Sequence, residues 1–346
     1  MKKQIKIILL IVFIALVSVV GFCAYKYLNQ DTNNENITPP SNTSNLNPLT
    51  GLPINKDSKN KRPIAIMINN LHSGQPLVGV SDADIMYECP TEGGITRILS
   101  VFKDPSNVTS IGSVRSARPY FISIAKSLDA IYVHLGGSTL AYNILKSNYI
   151  DSIDLISNGK YMWRDQDRLK NLGLEHSALT SGELLNKAIE SKGFNTQISN
   201  DYIYTQKFND NSQINQGTSA NEVTAVFSGY KSTTFTYDKQ GQTYLISQFQ
   251  KPQMDDNKKV QNSKQNIILM NIEGKNIDNT ELLELNIIGK GTGKYISHGK
   301  CIDITWSRDK DTSPFKYYTT DGSELIMLPG QTYVCLLAQW TSIKIN

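Results

Sequence analysis

The feature that most constrains this chain is at its N-terminus. Lys2, Lys3 and Lys6 precede an uncharged apolar run from Ile7 to Tyr25, and Lys26 closes it. A helix of about nineteen residues rising ~1.5 Å each is about 28 Å long, close to the ~30 Å hydrocarbon core of a bilayer. Lysines on the short side predict that this end stays in the cytoplasm and that the body is exported. The expectation is a membrane anchor or signal segment over residues 1–28, with an uncleaved transmembrane or signal-anchor helix favoured. Phe22 stands where the ordinary signal peptidase needs a small residue. Cleavage and lipidation of Cys23 are the alternatives, and Phe22 directly before Cys23 is a mismatch for a lipoprotein signal.

Residues 29–47 are polar and Pro-containing, without apolar periodicity, and read as a disordered linker that lets the body stand off from the bilayer. The remainder is long enough for two domains. Its charges, 35 Lys and Arg against 31 Asp and Glu over the whole chain, are interspersed and sum to +4, so no polyanion-binding field arises and nucleic acid is set aside as a partner. The cysteines, Cys23, Cys89, Cys301 and Cys335, make no C-x-x-C pair. Outside the apolar segment they allow one disulfide, with Cys301 and Cys335 the nearer pair, or buried free thiols, the reading we favour.

The pattern predicts an α+β protein: an N-terminal α/β sandwich domain over 48–195 and a mainly antiparallel β domain over 196–346. In the first, short apolar runs at 63–69, 84–88, 95–102 and 130–134 read as buried strands. Residues 119–128, 138–147 and 181–191 read as helices, the first opening on Pro119 and the last behind Ser181. In the second, strands are expected at 223–230, 243–249, 266–272, 283–288, 301–306, 315–319 and 324–328. Asp321-Gly322 supplies a hairpin signal between the last two.

Chemistry-bearing residues concentrate in loops of the first domain. Glu88 to Arg97 ends a strand in two acids, Glu88 and Glu92, then a Gly pair, then Arg97, so backbone N–H groups could approach a ligand. Arg115 and Arg118 flank a helix start, where free N–H groups already favour anions and a phosphate or carboxylate could be clamped. His134 ends an apolar strand and leads through Gly136 and Gly137 to Ser138, the place where open α/β sheets bind ligands. Arg164, Asp165, Asp167 and His176 complete the set. The bland alternatives are an internal pair between one arginine and Glu88 or Glu92, and a histidine that only hydrogen-bonds.

An acid–base reading assigns catalysis to Glu92, His134 and His176, with the arginines neutralising an anionic substrate. No HExxH, Walker loop or G-x-S-x-G is present, and no cofactor or metal is called for.

At these loops the sequence resembles the YerB-like family of Gram-positive cell-surface lipoproteins. The resemblance rests on Asn47-Pro48-Leu49-Thr50-Gly51-Leu52-Pro53, Glu92-Gly93-Gly94-Ile95-Thr96-Arg97, Val114-Arg115-Ser116-Ala117-Arg118-Pro119 and His134-Leu135-Gly136-Gly137-Ser138. In the second domain it rests on Thr305-Trp306-Ser307-Arg308 and Leu328-Pro329-Gly330-Gln331-Thr332. It implies an envelope location and an N- and a C-terminal domain, and supplies no reaction. Three functions follow as expectations. The leading one is binding of an anionic, cell-wall-related ligand; the others are a hydrolase or transferase acting on wall or phosphorylated glycans, and a docking partner of wall-synthesis proteins.

Overall fold

The computed structural model describes residues 45–278 and 280–346. The anchor expected over 1–28 and the linker up to residue 44 lie outside the described residues. Among the described residues, no helix is long and apolar enough to cross a membrane. Residues 45–47, expected to be linker, already belong to the body: Asn47 is buried and its amide donates to Asp84 Oδ1 at 2.8 Å.

The first half supplies strands β1 (Ile64–Asn69), β2 (Ile85–Pro90), β3 (Thr96–Phe102), β4 (Ile131–His134) and β5 (Ser152–Asp154). Its helices are α1 (Pro119–Ser127), α2 (Thr139–Leu145), α3 (Gln166–Leu172) and α4 (Gly182–Lys192). β1, β2 and β3 are buried along their whole length, which is why they read as mostly apolar runs rather than strictly alternating ones. α1 begins at Pro119, whose fixed φ and missing N–H suit a first helical turn. It buries Tyr120, Phe121, Ile122, Ile124 and Ala125 against one sheet face. Phe121, Ile122 and Ile124 each contribute about 1.5–3 kcal/mol when withdrawn from water.

The second half is built from β6 (Glu222–Val226), β7 (Ser232–Asp238), β8 (Thr243–Gln248), β9 (Asn266–Asn276), β10 (Leu283–Asn286), β11 (Gly289–Ser297), β12 (Lys300–Arg308), β13 (Lys316–Thr319), β14 (Thr332–Ala338) and β15 (Ser342–Ile345). Six of the seven strands expected there form at or near their places. The run at 324–328 is reduced to the two-residue pair Ile326–Met327. β7, β11, β14 and β15 were not anticipated. Gly293 within β11 sits so close to the Leu269 carbonyl that a Cβ would lie 2.4 Å from it, so the glycines that disguised this strand are what its packing requires.

β14 joins the two halves into one sheet. It runs parallel to β2 on one side, pairing Ile85 with Thr332 through Glu88 with Cys335. On the other side it runs parallel to β9, from Asn266–Thr332 to Ile272–Ala338. The central sheet thus runs β12-β11-β9-β14-β2-β3-β1-β4-β5. A second sheet, β8-β7-β6-β15, is antiparallel throughout. Alternation sorts the central strands' side chains between two cores. Met67, Tyr87, Cys89, Leu99 and Tyr132 join α1 on one face. Ile66, Met86, Ile98 and Val133 join Phe235 and Ile246 of the second sheet on the other.

Candidate functional site

β1 and β4 are parallel, paired from Ile64–Ile131 to Ile66–Val133. Beyond that point the segment Ser113–Ala117 threads between their carboxyl ends. Arg115 donates its N–H to the Met67 carbonyl and its own carbonyl accepts from Leu135, both at 3.0 Å. Ala117 N–H goes to the Gly136 carbonyl at 2.9 Å. Gly136 adopts φ 74°, in the left-handed region that glycine enters at little cost. This arrangement places Arg115, Arg118, His134 and Gly136 at the carboxyl ends of parallel strands, where open α/β sheets hold ligands.

Arg97 reaches the same place from β3. Its register opposite Asn69 and Cys89 puts it on the α1 face. Its residue is 6 % exposed, and its Nη1 donates to the Ser116 carbonyl at 3.2 Å. Among the described residues no carboxylate lies within ion-pair distance of it. Burial, together with the neighbouring charges of Arg118 and Arg115, pushes its guanidinium down to about 10.

Arg118 occupies the cap position of α1 without capping it. Instead it grips Glu92 with two bonds, Nε to Oε1 at 2.6 Å and Nη2 to Oε2 at 2.9 Å. Burial opposes ionisation of Glu92, but the Arg118 bonds and charge override it and hold the carboxyl below its ordinary value. Arg115 pairs with the more exposed Glu175 at 3.1 Å, and its Nε is buried without a partner.

His134 stacks on Tyr132 with centroids 5.3 Å apart and donates from Nδ1 to the Gly136 carbonyl at 2.8 Å. Burial lowers its pKa. The neutral ring's Nε2 is a buried acceptor without a partner, and the Tyr132 hydroxyl is likewise orphaned. Each such atom costs about 1–3 kcal/mol, and native proteins keep few of them.

Other residues singled out in the sequence have structural duties. Ser138 caps α2 by accepting from Ala141 N–H, and Asp165 caps α3 by accepting from Arg168 N–H. Gly137 forms a parallel bridge with Ala117, and a Cβ at Gly137 would come within 3.4 Å of the Ala117 Cβ. Arg164 holds the Leu174 carbonyl at 2.6 Å. His176 accepts from Asn69 at Nδ1 (2.7 Å) and donates from Nε2 to Ser73 (3.1 Å), so both ring nitrogens are engaged. Burial, then the charge of nearby Arg115, lowers its pKa.

Glu88 is separated from the cluster altogether. On β2 it faces the second sheet, fully buried, 3.1 Å from the fully buried Lys231. Thr96, Asn70, Thr233 and Tyr333 also donate to its carboxylate. Cys89, Cys301 and Cys335 are free buried thiols, and burial raises the pKa of each.

Tyr132, Ser116 and Glu175 belong to the cluster and escaped the sequence reading. Only Tyr132 left a signal, since it stands two residues before His134 on a strand and therefore shares its face.

Fold and site together define a mixed α+β protein whose two halves share one sheet, with an arginine cluster at the carboxyl ends of two parallel strands. The chain belongs to the DUF3048 family. The model for the N-terminal domain of this protein of unknown function matches residues 49–195, and that for its C-terminal domain matches 223–334. Over 308 residues the chain is 29% identical to YerB of Bacillus subtilis (strain 168), named as a candidate lipoprotein, covering 86% of this chain and 88% of that one. The crystal structure of YerB from the same organism matches with a TM-score of 0.75 at 26% identity, over 86% of this chain and 99% of that one. The resemblance read from the motif loops is thereby established.

Proposed function

We propose that this YerB-like protein is a membrane-tethered component of the cell envelope. In this reading, the carboxyl ends of β1 and β4 bind a phosphate- or carboxylate-bearing group of a wall-related ligand. The N-terminal apolar run and the lipoprotein designation of the Bacillus relative support the location. The ligand class rests on Arg97. Three arginines meet two carboxylates, Glu92 and Glu175, and the guanidinium left over is the most deeply buried of the three. A buried cation without a counter-charge is costly, and a bound anion removes that cost.

Binding is favoured over acid–base catalysis by the state of Glu92. A carboxylate held ionised by a bidentate arginine is a poor proton donor near neutral pH. The test is the affinity of the full chain for purified anionic wall polymer, in the parent and in an Arg97→Met, Arg115→Ala double variant. We expect a loss of about tenfold or more, with parent binding weakened by salt. Unchanged affinity in the double variant overturns the reading.

A further inference from the structure

The network around Glu88 holds more than an ion pair. Asn70 directly follows β1 in the central sheet, and Lys231 directly precedes β7 in the second sheet. Both are buried, and both reach one atom. Asn70 Nδ2 donates to Glu88 Oε1 at 2.8 Å, and Lys231 Nζ lies 3.1 Å from that same oxygen. A primary amine, a primary amide and a carboxylate are thus held against one another, the amine and the amide no further apart than those two contacts together.

Neighbouring side chains fix the three groups. The Thr96 hydroxyl donates to Glu88 Oε1 at 2.6 Å and accepts from Asn70 Nδ2 at 2.8 Å. The Thr233 hydroxyl donates to Glu88 Oε2 at 2.7 Å and accepts from Lys231 Nζ at 3.2 Å. Tyr333 donates to Glu88 Oε2 at 2.8 Å, and the Phe249 ring centroid lies 4.8 Å from Lys231 Nζ. Asn70 Oδ1 has no partner, although a purely structural network would satisfy it.

An amine attacks a carbonyl carbon only when neutral, and an amide nitrogen departs only when it receives a proton. Burial holds Lys231 below its ordinary pKa, which favours the neutral amine. Glu88 touches both nitrogens through Oε1, so it is placed to take a proton from one and give it to the other. Reactants already in contact need no encounter, which removes much of the barrier that amides present in solution.

We propose that Lys231 and Asn70 join in an intramolecular amide bond, with Glu88 as the proton carrier. Glu88 takes a proton from the Lys231 ammonium, and the resulting amine attacks Asn70 Cγ. A Cγ–Nζ bond forms and the Cγ–Nδ2 bond breaks. Lys231 gives up two protons in all, the departing nitrogen takes both and leaves as ammonium, and Glu88 ends as the carboxylate it was. No electrons are exchanged and no co-reactant is needed. The bond ties the central sheet to the second sheet, which no disulfide does, since the cysteines among the described residues are free. The ion pair of Lys231 and Glu88 is the state before reaction, so stability comparisons at Lys231 refer to the unlinked chain. The site is independent of the arginine cluster, and either can fail alone.

The experiment is tryptic digestion of the denatured full chain followed by tandem mass spectrometry. We expect a branched peptide that joins the segment holding Asn70 to the segment holding Lys231, lighter than the two together by one ammonia and uncleaved after Lys231. Lys231→Arg and Glu88→Gln should each yield linear peptides only. The parent chain alone decides the matter if either variant fails to fold. Linear peptides from the folded parent, with cleavage after Lys231, overturn the proposal. So does loss of ammonia at Asn70 without a branch, or a branch formed as fully in Glu88→Gln as in the parent.

Discussion

Glu88 and Arg97 lie one register step apart on paired strands and face opposite sides of the sheet. Glu88 is buried with Lys231 and a full set of hydroxyl and amide donors. Arg97 is buried nearly as deeply, yet its nearest charged neighbours include two further arginines. The two environments show how a buried charge is to be read. One that is answered on every side holds two layers together, here the central sheet and the sheet of β6 to β8. One that is left over, beside orphaned atoms on Arg115, Tyr132 and His134, is the observation on which the proposed anion site rests.

The largest effect that could break this contrast is at Lys231. Removing one member of a fully buried ion pair strands the other, so Lys231→Ala is expected to destabilise the protein by about 3–5 kcal/mol in urea denaturation. Joint replacement, Glu88→Gln with Lys231→Met, should recover most of that loss, because the stranded charge is gone. A Lys231→Ala protein as stable as the parent would mean that the pair does not join the layers.

Buried lysines facing neutral partners sharpen the comparison through pH. Lys264 bonds the Ser81 carbonyl and Gln331 Oε1, and burial pushes its pKa from 10.5 down to about 7. Between those values the unfolded chain holds a proton that the folded one has released. The unfolded state binds more protons there, so stability rises with pH from about 7 toward 10, by up to about 1.4 kcal/mol per pH unit. Burial lowers Lys103 to about 8, which adds in the same sense above that pH. Buried tyrosines such as Tyr87 have raised values, remain protonated when folded, and reverse the slope above pH 10. Denaturation midpoints measured from pH 7 to 10 should climb in the parent and climb less in Lys264→Met. A flat profile in the parent contradicts the cause given.

Smaller still is the stability change expected at Arg97 itself. Arg97→Met removes a buried charge that has no carboxylate to strand, so the folded protein should stay within about 1 kcal/mol of the parent or gain slightly. Destabilisation as large as that of Lys231→Ala would erase the distinction between the two regions.

The sequence showed the elements of the first half because β1 to β3 and α1 are mostly apolar runs bounded by Pro, Gly and Asp. The arginine cluster was legible for a related reason: its members sit in short loops adjoining those runs. The separation of Glu88 from Arg97 follows from strand parity only once the register of β2 against β3 is known. The pairing of Glu88 with Lys231 spans residues distant in the chain and has no local signature. β14 was missed as a link because a C-terminal strand inserted between β9 and β2 leaves no trace in spacing.

The smallest expected effect is at the two-residue turn of Phe249 and Gln250, which adjoins the compensated network. Gln248 donates to Thr233, which in turn donates to Glu88, and the next two residues both have positive φ. Two-residue hairpins of this kind normally take Asn-Gly, because a side chain in the left-handed region costs about 1–2 kcal/mol. Glycine recovers that cost but brings a more disordered unfolded chain, worth about 0.5–1 kcal/mol in the opposite direction. Gln250→Gly should therefore raise stability by a few tenths to about 1 kcal/mol while leaving the Phe249 ring in place. A measured loss of stability in urea denaturation would show that the Gln250 side chain itself supports the turn. The strain would then be compensated locally rather than held by the network beneath it.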